Sequence, residues 1–547
     1  MKKHCSNRRL AATLTALGQL AVGVDAALYS SVLETNYGPV QGYPAFNSSP
    51  TDPIGNLNNW KDVTVWKNIP YAADTGGENR WRPPQPPQPW NTTRDAGEFG
   101  LVCPAESGDG YASGEDCLSV NIWSAAKSPD EALPVILWHH PAGGSGRAPL
   151  FDGAGMAAKG VIFVNCNRRD GVLGWLATPE LNAEMRAAVG FEAAGNWGLL
   201  DEFAALNWTY HNIAAFGGDP KKITVVGQSA GSAAVYHTVN SKLTQGQFVG
   251  AIAESGVRDP YDPAAVTLAE GYNTMNFSLT TGARYMAAAN ATSIDALRAV
   301  PLDQLLEANA SFIGPHAGSY NFRPTLDGWA MPHTYIDQLR LGPGNDVPFM
   351  TGNTKDESGA EYGLNITVAK FVEEMTSQYG NLTARALELY PHPNGTEASA
   401  SYNLMWEDTS LVSSWGFAKG WQSSASSPIY TYLWDHAPPG QNRGAHHESE
   451  INYVFNNLYA TDLPWLPADY AIAERMSSYW ANFAKTGDPN KGGSYVQKNG
   501  TLAHFYPQDG DANVTMRLGN AFEMMPIVNN PAKLSFFKAY FDSQTPL

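Results

Sequence analysis

The chain has 547 residues, 43% of them hydrophobic and 16% charged, which excludes a disordered tail or a fibrous repeat and describes a globular protein with a sizeable core. Its formal charge is -17. A surface of that sign repels nucleic-acid phosphates and anionic lipid headgroups, so neither is an expected partner.

The chain opens on Lys2, Lys3, Arg8 and Arg9, then an apolar stretch from Leu10 to Val24, with Val24-Asp25-Ala26 as a cleavage site. This order reads as a secretory signal over residues 1–26, leaving 27–547 as one large domain. Its removal takes away four basic groups and Asp25, a net +3, so the mature chain stands near -20. No segment reaches 18 uninterrupted apolar residues, so stable membrane insertion is not expected. Eleven Asn-x-Ser/Thr sequons, at Asn47, Asn91, Asn207, Asn276, Asn290, Asn309, Asn365, Asn381, Asn394, Asn499 and Asn513, agree with passage through a glycosylating secretory pathway. Asn207 stands apart, because its surroundings read as structured.

The Pro-rich stretch Arg80–Trp90 has a linker's composition, but Trp81 and Trp90 suit a segment pinned to the body. Cys103 and Cys117 flank a loop rich in Gly, Ser and Asp. In an oxidising compartment they are disulfide candidates, and closing a loop of that size contributes about 3 kcal/mol in the chain-entropy account. Cys166 ends an apolar run and reads as a buried free thiol.

Apolar runs at Pro134–Trp138, Val161–Cys166, Ile223–Gly227, Phe248–Glu254, Val347–Gly352 and Ile429–Trp434 are continuous rather than alternating. That pattern belongs to strands covered on both faces, as in a mostly parallel α/β sheet flanked by helices. Residues 258–345 and 364–428 read as helical excursions, where such enzymes build substrate walls.

The run at 223–227 leads straight into Gly227-Gln-Ser-Ala-Gly231, with a helix-compatible stretch from Ser232 to Lys242. A sharp strand-to-helix turn of this kind projects the central hydroxyl, Ser229, away from the backbone. A serine nucleophile needs a base, and the base needs an acid to orient it. After the Val347–Gly352 strand come Asp356 and Glu357; the later histidines are His392, His436, His446, His447 and His504. Spacing alone does not choose among them.

Six stretches carry a resemblance that narrows the choice: Arg80–Trp90, Glu115-Asp-Cys-Leu-Ser-Val-Asn121, Gly195-Asn-Trp-Gly-Leu-Leu-Asp201, Asn212-Ile-Ala-Ala-Phe-Gly-Gly-Asp-Pro220, Pro324-Thr-Leu-Asp-Gly328 and Tyr479-Trp-Ala-Asn-Phe-Ala-Lys-Thr-Gly-Asp-Pro-Asn490. In this order they resemble the type-B carboxylesterase/lipase family, the cholinesterase-like branch of the α/β-hydrolases, in a secreted fungal-type form. The resemblance implies an α/β-hydrolase fold and a cofactor-free hydrolysis of small-molecule esters. Ser229 matches the family's nucleophile, Glu357 its acid and His447 its base, since Glu450-Ile451 and Val454-Phe455 follow as they do in the family. Cys103 and Cys117 match its N-terminal disulfide, and Asp201 and Ser255 match positions that support the fold.

The chain departs from the pattern in three places. The oxyanion loop, normally His or Tyr followed by three glycines, reads His140-Pro-Ala-Gly-Gly-Ser145. Pro141 has no N–H to donate. The matched donors are Ala142, Gly143 and Ala230, with a shift to Gly143 and Gly144 as the alternative. Gln228 stands where Glu is common, which removes a negative charge near the imidazole and should hold the histidine's pKa below that of Glu-bearing relatives. The Cys103–Cys117 loop holds thirteen residues and no Trp, so it offers no aromatic platform for a choline ammonium and no long flap. Small and medium soluble esters are the expected substrates. A specialised enzyme using the same pocket for lactone opening, dehydration or acyl transfer, and a non-catalytic adhesion protein, are the alternatives. His446-His447-Glu448 lacks metal-ligand spacing, and Gly143–Gly146 lacks the Lys-Ser/Thr of a phosphate loop.

Overall fold

Within the run Pro134–Trp138, Val135 and Leu137 pack into one buried cluster while Ile136 and Trp138 pack into another. Successive side chains of a strand point to opposite faces, so a strand with two apolar faces needs cover on both. The same division separates Val225 from Val226 and Ala251 from Ile252. In the computed structural model, which describes residues 27–104, 110–266, 271–313, 322–495, 500–509 and 512–547, these strands form the middle of one eleven-stranded sheet.

In chain order its strands are Tyr43–Pro44 (β1), Thr64–Pro70 (β2), Ser119–Ser124 (β3), Leu133–His139 (β4), Ile162–Cys166 (β5), Gly218–Gln228 (β6), Gly250–Glu254 (β7), Phe349–Thr354 (β8), Ile429–Trp434 (β9), Val514–Leu518 (β10) and Glu523–Pro526 (β11). Across the sheet they run β11-β10-β9-β8-β7-β6-β4-β5-β3-β2-β1. The stretch from β10 to β5 is parallel, and antiparallel strands close both edges. This is an α/β-hydrolase architecture. The helices Trp197–Asn212, Ala230–Asn240 and Gly395–Ser424 contribute Leu206, Val235 and Phe417 to one face; Pro467–Thr486 covers the other through Met476 and Trp480.

All six apolar runs read from the sequence are strands. The strands β1, β2, β3, β10 and β11 were not among them. β3 is fully buried yet carries Ser119, Asn121 and Ser124, because Asn121 bonds to Asn165 and to the Gly146 carbonyl; satisfied polar side chains hide such a strand from a hydropathy reading. The expected helical excursions hold the helices Met275–Ala288, Leu302–Ile313, Val368–Tyr379 and Gly395–Ser424. Trp81 is buried and donates to the Val172 carbonyl, and Trp90 stacks on Tyr37, so 80–90 is indeed pinned. Cys103 and Cys117 form a disulfide with a Cα–Cα distance of 5.0 Å. Cys166 is buried and free.

One glycosylation expectation is corrected. Asn309 is 2% exposed, and a buried amide has no room for a glycan. Asn47, Asn91, Asn207, Asn276, Asn290, Asn365, Asn381, Asn394 and Asn513 are exposed, Asn207 included, on the outer face of its helix. Asn499 and the segment 1–26 lie outside the described residues. No helix among the described residues is long and apolar enough to cross a membrane.

Strand register sets up the site. His139 pairs with Gly227, Gln228 with Glu254, Glu254 with Gly352 and Gly352 with Tyr432. The loops that follow β4, β6, β8 and β9 therefore leave the sheet along one edge, at its carboxyl ends, where open α/β sheets bind ligands.

Candidate active site

Ser229 stands between β6 and helix Ala230–Asn240 with φ 56° and ψ −117°. A non-glycine residue in that region is strained, by about 1–3 kcal/mol. Its surroundings enforce the turn. Ser229 N–H donates to the Glu254 carbonyl at 2.9 Å. A Cβ on Gly227 would lie 2.3 Å from the Gly231 oxygen, and one on Gly231 would lie 1.9 Å from the His139 oxygen. Both positions accept glycine alone. The serine hydroxyl is half-buried and makes no helix-capping bond. The helix begins at Ala230, two residues earlier than expected, so the Ala230 N–H belongs to the unpaired first turn.

His447 Nδ1 lies 2.5 Å from Glu357 Oε2, and Thr354 N–H donates to Glu357 Oε1 at 3.0 Å. Glu357 is buried and His447 half-buried. Burial raises the Glu357 carboxyl, but the His447 hydrogen bond and charge, with Arg258 and the Thr354 N–H, outweigh it and hold the group below its ordinary value. Burial pulls His447 down; the Glu357 hydrogen bond and charge, helped by Glu448 and opposed by Arg258, leave it above its ordinary 6.5.

The two loops meet because β8 and β9 are parallel neighbours. Asp356 extends that pairing beyond the strands: its N–H donates to the Ala445 carbonyl at 3.0 Å, and its carboxylate accepts the Ala445 N–H at 2.7 Å. Asp356 is thus a clamp on the histidine loop and not an alternative acid. His446 turns away, with Nε2 2.7 Å from the Arg443 guanidinium. His436 bonds Asp469 and Asn520, His392 bonds the Tyr390 carbonyl, and His504 packs on Tyr506; none of them reaches Glu357.

Gln228 Nε2 is 3.3 Å from His447 Nδ1 and 3.2 Å from Nε2. An in-plane atom equidistant from both nitrogens would overlap the ring carbons, so the amide lies over the ring face. Nδ1–H is left to Glu357, and the in-plane lone pair of Nε2 is left free of this amide.

The loop after β4 makes a tight turn. Gly144 N–H donates to the Pro141 carbonyl at 3.2 Å, and Gly143 has φ 71°, the third-position geometry of a type II turn that favours glycine. Gly144 N–H is therefore engaged within the loop. The N–H groups of Ala142, which is exposed, and Gly143 bond to no other protein group among the described residues. The loop therefore offers the Ala142 and Gly143 N–H groups to a ligand and keeps that of Gly144 for itself.

Of a buried charge cluster beneath this loop, Arg168, Arg169, Asp201 and Glu202, all nine-tenths buried or more, sequence reading singled out only Asp201. The signal for the cluster was a pair of arginines directly after a core strand and a pair of acids inside an apolar helix.

The Carboxylesterase family profile matches residues 30–525. The chain is 32% identical over 459 residues to the fumonisin B1 esterase of Sphingopyxis macrogoltabida, covering 79% of this chain and 80% of that enzyme. It is 30% identical over 459 residues to the para-nitrobenzyl esterase of Bacillus subtilis, covering 78% and 87%. The solved PNB esterase superposes with a TM-score of 0.71 at 26% identity, covering 92% of this chain and 99% of that one. A Geobacillus stearothermophilus carboxylesterase does so with a TM-score of 0.71 at 28% identity, covering 92% and 99%. With an α/β-hydrolase sheet, an elbow serine at its carboxyl edge and a profile match over most of its length, the chain belongs to the carboxylesterase family and is a carboxylic-ester hydrolase.

Proposed function

We propose that the protein is a secreted, glycosylated serine esterase that acts on small and medium soluble esters through a Ser229-His447-Glu357 triad. The observation that carries this reading is the hydrogen bond that His447 Nδ1–H donates to Glu357, in a ring whose face is covered by Gln228, the residue before the elbow serine. His447 Nε2 takes the proton of Ser229 as Oγ attacks the ester carbonyl. The N–H groups of Ala142, Gly143 and Ala230 hold the tetrahedral oxyanion, and the start of helix Ala230–Asn240 adds its positive end. His447 then protonates the departing alcohol. Water repeats the sequence on the acyl-enzyme, with Glu357 balancing the imidazolium throughout. The short loop between Cys103 and Cys117 supports substrates that reach the serine from water without a large flap.

The test is labelling by a fluorophosphonate probe alongside Ser229→Ala, followed by turnover of p-nitrophenyl esters from acetate to palmitate, with fumonisin B1 as one further ester. Labelling should vanish in the variant, and turnover should fall by at least about ten-thousandfold with the fold intact. Turnover should decline as the acyl chain lengthens. Near-wild-type activity of Ser229→Ala would sink the mechanism. Labelling without turnover of any simple ester would favour the specialised enzyme that the Pro141 loop keeps in view. Secretion and glycan attachment are checked by the N-terminal residue and the glycosidase-sensitive mass of protein recovered from the medium.

A further inference from the structure

The two arginines after β5 do different work. Arg169 forks onto Asp201, with Nε 2.8 Å from Oδ2 and an Nη 2.7 Å from Oδ1, and so ties β5 to helix Trp197–Asn212. Arg168, with its side chain 4% exposed, reaches the oxyanion loop from behind. Its Nη1 donates to the His140 carbonyl at 2.8 Å and lies 3.3 Å from Glu202 Oε1; Nη2 lies 3.8 Å from Asp170. The same carbonyl faces the nucleophile turn, since a Cβ on Gly231 would come within 3.0 Å of it.

The next carbonyl is held as well. His140 Nδ1 is 2.8 Å from the Pro141 oxygen and 3.3 Å from Arg168 Nη1; the shorter contact, to an oxygen that can only accept, puts the proton on Nδ1, and Gly144 N–H donates to the same oxygen at 3.2 Å. Burial first, and then the Arg168 charge, keep the His140 ring neutral. A trans peptide sets its C=O and N–H on opposite sides. Holding the Pro141 oxygen at the back therefore turns the Ala142 N–H to the front. Pro141 has no N–H by which the loop could be anchored, so the two carbonyls are the handles available at its start. The stronger handle is the one gripped by a charged donor.

We propose that Arg168 is a positioning residue for oxyanion stabilisation, acting through the His140 carbonyl to aim the N–H groups of Ala142 and Gly143. The inference rests on the reading of Ser229 and that loop given above. Glu202 is its buried neighbour: burial pushes the Glu202 carboxyl up to about 8, against the pull of Arg168.

The test compares Arg168→Met, the paired Arg168→Met/Glu202→Met and Arg168→Lys with the wild type. The paired variant leaves no buried charge unpartnered, and such apolar replacements of a buried ion pair usually fold. Readouts are kcat and KM for p-nitrophenyl butyrate and the inhibition constant of an alkyl trifluoromethyl ketone, whose hemiketal oxyanion needs the same donors. Misplacing a reacting group by about 1 Å costs on the order of a hundredfold. In both Met variants kcat should fall by about ten- to a hundredfold, with KM within about twofold. Ketone affinity should fall in proportion, and Arg168→Lys should recover part of each loss. A folded paired variant with wild-type kcat and ketone affinity overturns the proposal, as does a loss confined to KM. Should neither Met variant fold, Arg168→Lys decides: its single-point ammonium lacks the planar donor fork, and wild-type values for it overturn the proposal. Failure of the underlying reading looks different, because Ser229→Ala would then keep its turnover.

Discussion

The two loops that flank Ser229 are built on opposite plans. On the side of β8 and β9, side chains carry the proposed chemistry and the backbone holds them: Glu357 and His447 meet because parallel strands deliver their loops together and Asp356 clamps the Ala445 peptide. On the side of β4, backbone N–H groups carry the proposed chemistry and side chains hold them, with Arg168 and His140 gripping successive carbonyls. The first plan fails when a named residue is changed. The second tolerates many residues in the loop itself, proline at 141 included, provided the peptides keep their direction and the donating N–H groups remain.

That contrast is broken most severely on the side-chain half. Glu357→Gln keeps the shape but cannot balance an imidazolium or hold the right tautomer, and kcat should fall by about ten-thousandfold; steady-state kinetics on p-nitrophenyl butyrate measures it, and a loss under tenfold would move the acid elsewhere. On the backbone half the matching change is Ala142→Pro. Proline suits the second position of a type II turn, so the loop should keep its path while losing one N–H. Its kcat should fall by about a hundred- to a thousandfold at nearly constant KM, whereas unchanged turnover would move the hole to Gly143 and Gly144. Asp356→Ala touches no reacting atom. Its expected effect is about tenfold on kcat, through a His447 loop no longer held to the acid, and an equal loss in KM alone would assign it to substrate binding. The smallest effect is one of pH. With neutral His447 as the proposed base, activity should rise with pH through a value above the ordinary 6.5. Gln228→Glu sets a carboxylate against the ring face, favours the imidazolium and should move that acid limb about one unit higher. An unmoved limb in the pH profile of kcat/KM would show that the residue before the nucleophile does not set the histidine's pKa.

The same contrast explains what could be read in advance. Ile429–Trp434 has the predicted bounds because all six residues are buried apolar or aromatic apart from Thr431, and the serine turn is legible because two glycines are sterically compulsory. Glu357 and His447 needed a resemblance, since five histidines and two adjacent acids looked alike in isolation. The Asp356 clamp and the Arg168 grip were not legible at all. Both act on main-chain atoms of residues far away in sequence, and a carbonyl leaves no mark in the composition of the loop that owns it. β3 escaped for a related reason, its amide and hydroxyl groups being paid for by partners such as Asn165. Asn309 shows the converse: a sequon is a local pattern, and its burial is decided by the packing of a whole helix.

The conformation of Ser229 has a bearing on how this protein can change over time. At φ 56° and ψ −117° the site is one that glycine occupies without penalty, and serine there holds about 1–3 kcal/mol of backbone strain. Ser229→Gly is therefore both inactivating and relaxing. Selection for stability alone, in a laboratory screen or in a lineage that no longer needs the reaction, would therefore drift toward that replacement, and only a demand for the proposed reaction opposes it.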